Sequence, residues 1–344
     1  MYILREAEVY RTLRSLSQPQ FTRFLDTLTT TLIQYSNEHD HKKSDRLIHQ
    51  PLRSSIVTKY NDTTLFMPSS DTQNTGMKII ALPAKGDSAG VNVLLSPLGQ
   101  ILGLVPASQV TAFRTALTAM CLFARVFHIP KQHIVVFGSG KQVEWHIRLA
   151  LLVAQKEINT ITVVNRGRQR LNEFEKSVLR GLQSVYKQVK FQLVAKEDTP
   201  EFEHAVQHHL SFADAIFCCT PSTAPLFPFS ALALSPKRRF ISLIGSYKPH
   251  MKEIDTETLL SGAGQIFVDS KEACLEESGE LIEARVSENQ LIEIGKHVGS
   301  DKSLYPEGNV VLKCVGMGIM DLVVSRLLLE VARELGIADD VQGL

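Results

Sequence analysis

The chain has 344 residues, of which 44% are apolar and 21% charged, and its formal net charge is only +1. This composition predicts a soluble globular protein of two ordinary domains, without the basic surface that binding of a nucleic acid would need. The N-terminal segment MYILREAEVYRTLRSL carries acids and lacks an apolar core, and no apolar run reaches the roughly 18 residues that could span a membrane. We therefore expect a cytoplasmic protein without a membrane partner.

The cysteines and histidines argue against a metal centre. The five cysteines show no CxxC spacing and mostly lie in apolar runs, which predicts reduced, buried thiols. Several histidines lie in polar surroundings without ligand spacing to a carboxylate or thiol, so no metal site is expected. The residues concerned are Cys121, Cys218, Cys219, Cys274 and Cys314, and His39, His41, His49, His208 and His209.

The first region combines helices with a run of short strands. Apolar residues recur at helical spacing through residues 5–38, a charged loop follows at 39–46, and residues 109–127 return to helical spacing. Between them, apolar segments separated by turn residues predict a mostly antiparallel sheet. The predicted strands are Ser54–Lys59, Thr63–Met67, Gly76–Ala81, Gly90–Ser96 and Ile101–Pro106.

The middle of the chain carries the strongest pattern. A buried-strand sequence, Ile134–Phe137, runs into Gly138-Ser139-Gly140, a helical pattern begins at Gln142, and a second strand spans Thr160–Val164. Strand, glycine turn, helix and strand form the dinucleotide-binding unit, whose helix N-terminus offers N–H groups to a pyrophosphate. Because Val143 replaces the third glycine of the fingerprint, the alternative is a unit of this shape that binds nothing.

The end of the second strand predicts the choice of cofactor. A carboxylate at this position would hydrogen-bond the ribose hydroxyl of NAD and repel a 2′-phosphate. This chain instead has Asn165, Arg166 and Arg168, and two guanidinium groups without an acid favour NADP(H) over NAD(H). A solvated basic turn is the alternative.

The rest of the chain completes an α/β protein. Thr220 follows a strand at the carboxyl edge, where open α/β sheets bind ligands. Further strands are predicted at 190–194, 215–219, 239–244, 265–268 and 309–315, and a helix at 321–335 that folds back onto the first region. We expect a Rossmann-type domain with a parallel sheet in residues 129–315, and an α+β domain with a mostly antiparallel sheet in 1–128, completed by 316–344.

Three basic residues of the first region lie beside apolar residues, where an unpaired charge would be costly. They are Arg53 in QPLRSS, Lys78 in TGMKII and Arg114 in TAFRTAL, and Lys78 is a lone cation in its apolar strand. A structural salt bridge would explain any one of them. Three in one small domain are explained as well by the binding of an anionic substrate, such as an amino-acid carboxylate.

Ordered sequence blocks along nearly the whole chain resemble the ornithine cyclodeaminase/mu-crystallin family. The blocks are QPLR around Arg53, the strand with Lys78, QVTAFRTAL around Arg114, GSGKQ at 138, NR at 165, TPSTAPLF at 220, VDSKEACLEESGEL at 268 and LKCVGMGIMDL at 312. The resemblance implies a homodimer, with a substrate-binding and dimerisation domain built from both chain ends and a Rossmann domain between them. It also implies a bound nicotinamide cofactor and hydride transfer at the α-carbon of amino or imino acids.

The resemblance implies roles for individual residues as well. Lys78 matches the family's active-site lysine, and Arg53 and Arg114 match its carboxylate-binding arginines. The other matches are Gly138, Gly140, Lys141 and Gln142 at the pyrophosphate, Asn165 and Arg166 at the 2′-phosphate, Thr220 at the cofactor-facing strand end, Val315 and Gly316 near the nicotinamide, and Glu277 near the substrate.

One departure separates this chain from the cyclodeaminases of the family. These carry an Asp in the loop after the fifth strand, where it handles the amine during ring closure, whereas this chain has Tyr247, followed by Lys248. A neutral phenol cannot replace that carboxylate. Mu-crystallin-like members also lack the Asp and resemble this chain in the basic residue beside it.

We therefore expect an NADPH-dependent reductase that acts on the C=N bond of cyclic ketimine carboxylic acids, such as the piperideine or pyrroline 2-carboxylates. In the expected mechanism, Arg53 and Arg114 fix the carboxylate, and Lys78 keeps the imine protonated or relays that proton. Two alternatives stay open. One is an ornithine cyclodeaminase that releases ammonia with bound NAD, and the other is a non-enzymatic protein that binds NADPH and a small acid.

Overall fold

The computed structural model of the chain describes residues 1–38, 45–86, 88–300 and 305–341. His39, His41 and most of the charged loop expected at 39–46 lie outside the described residues. The chain divides into two compact units, one of Met1–Leu117 with Gly316–Leu344 and one of Thr118–Val315. The roles that the resemblance gives to the domains remain predictions.

The elements are bounded as follows. The strands are β1 (Tyr2–Ile3), β2 (Ser54–Val57), β3 (Thr63–Ser70), β4 (Thr75–Leu82), β5 (Ala89–Leu95), β6 (Ile101–Pro106), β7 (His133–Phe137), β8 (Thr160–Asn165), β9 (Lys190–Ala195), β10 (Ala215–Cys218), β11 (Phe240–Leu243), β12 (Ile266–Val268), β13 (Leu291–Glu293), β14 (Val310–Lys313) and β15 (Asp339–Asp340). The α-helices are α1 (Glu6–Arg14), α2 (Gln18–Asn37), α3 (Ala107–Phe123), α4 (Lys141–Ala154), α5 (Arg168–Phe174), α6 (Arg180–Val185), α7 (Phe202–Phe212), α8 (Ser230–Ala233), α9 (Thr256–Leu259), α10 (Lys271–Glu277), α11 (Gly279–Glu283), α12 (Ile294–Val298) and α13 (Gly318–Glu334).

The first unit is built on a sheet with the strand order β15-β1-β6-β5-β4-β3-β2. Strands β2 to β6 pair antiparallel with their neighbours in sequence, as turn-connected strands do, and β1 pairs parallel with β6. Helix α13 packs on β3, β4 and β5. It approaches closely, because a Cβ added at Gly76 of β4 would lie 2.8 Å from Leu322 Cδ1. The helix therefore lies directly over the strand that carries Lys78.

The second unit is built on a parallel sheet with the order β13-β12-β14-β11-β10-β7-β8-β9. Strands β10, β11, β12 and β14 are buried along their whole length, which explains why they read as largely apolar runs in the sequence. The chain runs from β7 outward to β8 and β9, and then returns to β10 on the other side of β7. This reversal opens a crevice at the carboxyl ends of β7 and β10, the usual ligand position in such sheets.

The α/β class, with one parallel and one mostly antiparallel sheet, is confirmed. The short strands β1, β13 and β15 were not predicted, because two or three residues are too few to show a readable alternation.

Within residues 1–38, 45–86, 88–300 and 305–341, no helix combines the length and apolar character needed to cross a membrane. The same ranges contain no cluster of three or more His, Cys, Asp or Glu side chains suited to a metal ion. The cysteines are unbridged, and all but the half-buried Cys219 are buried.

Candidate functional site

A buried ammonium group marks the candidate site of the first unit. Lys78, on β4, is only 4% exposed. Its Nζ donates hydrogen bonds to Thr111 Oγ1 at 2.8 Å and to Asp321 Oδ1 at 3.0 Å. Lys78 is the single charged residue of β4, and Asp321 on α13 supplies its counter-charge.

The same carboxylate also faces a guanidinium group. Asp321 Oδ2 lies 3.3 Å from Nε of Arg114, which lies on α3 and is 4% exposed. Arg53 precedes β2, is half-buried, and is close enough to act electrostatically on Lys78. Three cations around one carboxylate leave a net positive charge, which suits an anionic ligand. The structure thus brings together the three basic residues that the sequence singled out.

Burial sets the protonation of Lys78. It lowers the pKa of the ammonium from 10.5 to about 8, because the charged form has lost its hydration. Asp321 acts in the opposite direction, and the positive charges of Arg114 and Arg53 lower the pKa further. An amine that titrates in this range can exchange a proton near neutral pH, which makes Lys78 suited to general acid–base chemistry.

Gly316 lies against the guanidinium group of Arg114. Its φ is +92°, a left-handed conformation that side chains rarely adopt, and a Cβ added there would lie 2.3 Å from Arg114 Nη1. The glycine therefore leaves the space that Arg114 occupies. Sequence reasoning placed Gly316 near the nicotinamide, and within the first unit the structure gives it this second role.

The glycine turn of the second unit fits a pyrophosphate group. Gly138 has a φ of +114°, and a Cβ there would lie 3.0 Å from the carbonyl oxygen of Cys219 and 3.2 Å from Val143 Cγ2. Gly140 precedes α4 with an extended backbone, and among the described residues no side chain caps this helix. Its first N–H groups are thus available to an anion. Ser139 and Gln142 are half-buried, and Lys141 is exposed, at the same turn.

The end of β8 carries no acid of its own, but the structure brings two acids from the end of β9 to Arg168. Arg168 Nε and Nη2 donate to the two oxygens of Asp198 at 2.5 and 2.8 Å, and its backbone N–H donates to Glu197 Oε2 at 2.8 Å. The acids follow β9, whose carboxyl end lies beside that of β8 in a parallel sheet. Arg166 is exposed, and Asn165 Nδ2 donates to the carbonyl of Gly167. Arg166 is therefore the better candidate for a phosphate contact.

A buried carboxylate ties together two neighbouring strand ends of the second unit. Glu253 accepts N–H hydrogen bonds from Thr220 and Gly245 at 2.7 Å and from Ile244 at 3.0 Å. The two backbones lie so close that a Cβ on Gly245 would be 2.0 Å from the carbonyl oxygen of Thr220. Burial raises the pKa of Glu253 to about 7, against the opposing charge of Lys313. Glu253 thus positions Thr220, the predicted cofactor-facing residue.

The remaining predicted residues of the second unit follow strands β11 and β14 or end helix α10. Tyr247 and Lys248 follow β11, and Lys248 Nζ lies 5.7 Å from the centre of the Tyr247 ring, within cation–π range. Val315 follows β14, and its N–H donates to Asp269 Oδ1 at 3.3 Å. Glu277 is the half-buried last residue of α10.

Comparison with known proteins places the chain in a family. A model of the ornithine cyclodeaminase/mu-crystallin family matches residues 23–335. The chain belongs to this family. It is 27% identical over 311 residues to a Delta(1)-pyrroline-2-carboxylate reductase of Bacillus thuringiensis, covering 85% of this chain and 89% of that protein. It is 26% identical over 229 residues to the ketimine reductase mu-crystallin of Rattus norvegicus, covering 67% of this chain and 64% of that protein.

A solved structure shares the fold of this chain. The Delta(1)-pyrroline-2-carboxylate reductase of Thermococcus litoralis, solved in complex with NADH and L-proline, superposes with a TM-score of 0.81. The alignment covers 99% of this chain and 100% of that chain at 19% sequence identity, a level at which the likeness shows the fold alone.

Two buried acids of these candidate sites, Asp321 and Glu253, were not predicted from the sequence. Asp321 had a signal, because it is the only acid in the apolar stretch Gly318–Leu329. An acid there needs a buried partner, although the sequence does not indicate which residue that is. Glu253 lies in a polar segment, where a carboxylate gives no hint of burial.

The role of Gly316 can be tested with a matched pair of glycines. Gly336 also has a left-handed φ, +65°, but its Cβ would meet open space. We expect Gly316→Ala and Gly336→Ala each to lose about 1 kcal/mol of stability through backbone strain. Only Gly316→Ala should also displace Arg114 and weaken binding of a small carboxylate, by about tenfold. Thermal denaturation and ligand titration measure the two effects, and equal ligand affinities in the two variants would refute the role.

Proposed function

We propose that the protein is an NAD(P)H-dependent reductase of cyclic imino carboxylic acids, converting compounds such as piperideine- or pyrroline-2-carboxylate to the cyclic amino acid. The observation that carries this proposal is the buried Lys78 ammonium, with a pKa of about 8, beside Arg114 and Arg53. The names of two relatives, a pyrroline-2-carboxylate reductase and a ketimine reductase, support the same reaction.

In the proposed mechanism, the first unit holds and polarises the substrate. Arg114 and Arg53 bind the carboxylate, which fixes the orientation of the ring. Lys78 donates its proton to the imine nitrogen, so that the C=N carbon becomes electrophilic as the π bond breaks. Asp321 keeps the ammonium in place before the transfer. A bound nicotinamide cofactor would supply the hydride to that carbon.

The second unit offers residues that fit such a cofactor. The left-handed Gly138 and the uncapped start of α4 suit a pyrophosphate, and Glu253 holds Thr220 beside them. The exposed guanidinium of Arg166 would bind a 2′-phosphate, which favours NADPH over NADH. Arg168 would contribute less, because Asp198 already holds its guanidinium.

The loop after β11 favours reduction over ornithine cyclisation. A lyase would need a carboxylate there. Tyr247 offers only a hydroxyl group, and the ammonium of Lys248 lies near its ring. A screen of cyclic imino acids for NADPH oxidation, run beside an assay for ammonia release from ornithine, separates the two activities. A protein that binds NADPH but fails both assays would be the non-enzymatic alternative.

Lys78→Met tests the proton donor. The variant should bind NADPH normally but lose turnover by roughly 10² to 10⁴-fold, the usual contribution of a positioned proton donor. Wild-type kcat should fall as pH rises through about 8, since the ammonium donates the proton and is lost above its pKa. Lys59→Met removes an exposed lysine of the same unit and should leave the profile unchanged. A folded Lys78→Met protein with turnover within a few-fold of wild type would end the assignment.

Arg166→Ala tests the cofactor preference. The wild type should bind NADPH at least about tenfold more tightly than NADH, because a charged phosphate contact contributes on the order of 1.5 to 3 kcal/mol. Arg166→Ala should remove most of that difference. Arg170→Ala, which removes a neighbouring exposed arginine, should preserve it. Calorimetric titration with both cofactors gives the answer, and equal wild-type affinities would contradict the preference.

Homodimer formation is proposed for the edge of the first sheet. β2 is the edge strand, and its Ile56 and Val57 are 57% and 62% exposed, which invites pairing with a second chain. Sedimentation at micromolar concentration should show twice the 38.3 kDa mass of one chain. Ile56→Lys should shift the protein toward monomer, whereas Leu98→Lys, at a position that is 87% exposed in a loop, should not. A monomeric wild type would refute the proposal.

A further inference from the structure

A small cavity lies beside the Lys78 ion pair in the first unit. Its volume is about 10 Å³, and residues of β3, β4, β5 and α13 line it. The lining includes Lys78, Asn92 and Asp321. A space of this size holds about one water molecule, provided that the walls offer polar partners.

Asn92 contributes a buried amide to this cavity. It is the direct partner of Lys78 in the antiparallel pairing of β4 with β5, so the two side chains project from the same face of the sheet. Asn92 is only 2% exposed, and neither its Nδ2 nor its Oδ1 hydrogen-bonds to any described residue. An amide buried without hydrogen bonds is strongly unfavourable. The side chain therefore needs a partner from outside the described chain.

One carboxylate oxygen of Asp321 also lacks a hydrogen-bond partner among the described residues. Its Oδ1 accepts from Lys78, whereas Oδ2, although 3.3 Å from Arg114 Nε, accepts no hydrogen bond within the described part of the chain. The residue is 1% exposed, so bulk water does not compensate. A buried carboxylate oxygen needs donors to offset its lost hydration. A donor in the cavity would serve both Asp321 and Asn92.

We propose that Asn92 is a positioning residue that holds one water molecule in this cavity, and that this water donates a hydrogen bond to Asp321 and so supports the Lys78 ion pair. The water accepts from Asn92 Nδ2 or donates to Oδ1, and its remaining proton goes to the carboxylate. An ammonium has three N–H donors, of which Thr111 and Asp321 use two. The third stays available for the substrate.

The water would act on Lys78 through Asp321. The charged groups that influence Lys78 are Asp321 on α13, Arg114 on α3 and Arg53 before β2, and among them only Asp321 raises its pKa. Loss of the water would leave the buried ion pair drier, and burial is already the largest cause that lowers the pKa of Lys78. The consequence for turnover rests on the proposed reductase function, whereas the water site does not.

Replacement of Asn92 by a side chain of similar size tests the water. If the amide is bridged by water, Asn92→Leu lowers the Tm, and it moves the alkaline limb of the kcat profile about one pH unit lower, the shift for one lost hydrogen bond to a charge. If the cavity is dry, the same change removes an unsatisfied amide and raises the Tm, which would overturn the proposal. Asn92→Asp, which adds a carboxylate, should move the limb higher.

Ser325→Ala supplies the control. Ser325 lies on α13, and its buried hydroxyl has no hydrogen-bond partner among the described residues, but it does not line the cavity. The alkaline limb should therefore stay where it is in Ser325→Ala. A shift in this variant equal to that in Asn92→Leu would show that any buried polar loss moves the limb, and the proposal would fall.

Two readouts do not depend on catalysis. A high-resolution crystal structure should show one ordered water within hydrogen-bond distance of Asn92 and Asp321, and an empty cavity would overturn the proposal. The Tm should also rise with pH between about 8 and 10.5, where the unfolded chain binds more protons at Lys78 than the folded one. In Asn92→Leu this rise of the Tm should begin at a lower pH. In a Lys78→Met background, Asn92→Leu should not change the pH at which the Tm rises. If the wild type reduces no imino acid, the reductase proposal fails, but the crystal structure and the pH dependence of the Tm still show whether the water is bound.

Discussion

The ion pair between Lys78 and Asp321 is the constraint around which the first unit is arranged. Taking an ammonium and a carboxylate out of water costs several kcal/mol for each ion, which is recovered only with good geometry and further hydrogen bonds. Lys78 meets that condition with acceptors at 2.8 and 3.0 Å, one from α3 and one from α13. The ammonium is therefore stable in its place only while both helices are packed on the sheet. Its lowered pKa is the remaining, uncompensated part of the desolvation.

The pair also joins distant parts of the chain. Lys78 and Asp321 are 243 residues apart, and the whole second unit is inserted between them. Gly316 begins the returning segment, and its missing side chain makes room for Arg114. The cationic site is thus complete only after the C-terminal helix has docked on β4. The proposed substrate site of the first unit thus depends on a tertiary contact and not on any local sequence motif.

This separation explains what could and could not be predicted from the sequence. The strands and the glycine turn were readable, because burial on both faces and a left-handed turn each leave a local signature, as at Ile134–Phe137 and Gly138. Arg53, Lys78 and Arg114 were found because a charge in an apolar run is locally unusual. Their buried partner, Asp321, was not found, since no local pattern pairs residues so far apart. The partner of Arg168 was missed for the same reason, because the strand order brings Asp198, 30 residues further along the chain, to its side.

Each unit contains one buried group that titrates near neutral pH. Glu253, which ties the backbones of Thr220 and Gly245 together, has its pKa raised by burial to about 7, while its N–H donors favour the charged form. Lys78 has its pKa lowered by burial to about 8. Below the first value the carboxylate takes up a proton and its hydrogen bonds from the strand ends weaken. Above the second value the ammonium loses the proton that the proposed imine reduction would use. The ordered strand ends and the charged ammonium therefore coexist most fully between about pH 7 and 8, so burial in two separate cores favours the same pH range for both groups.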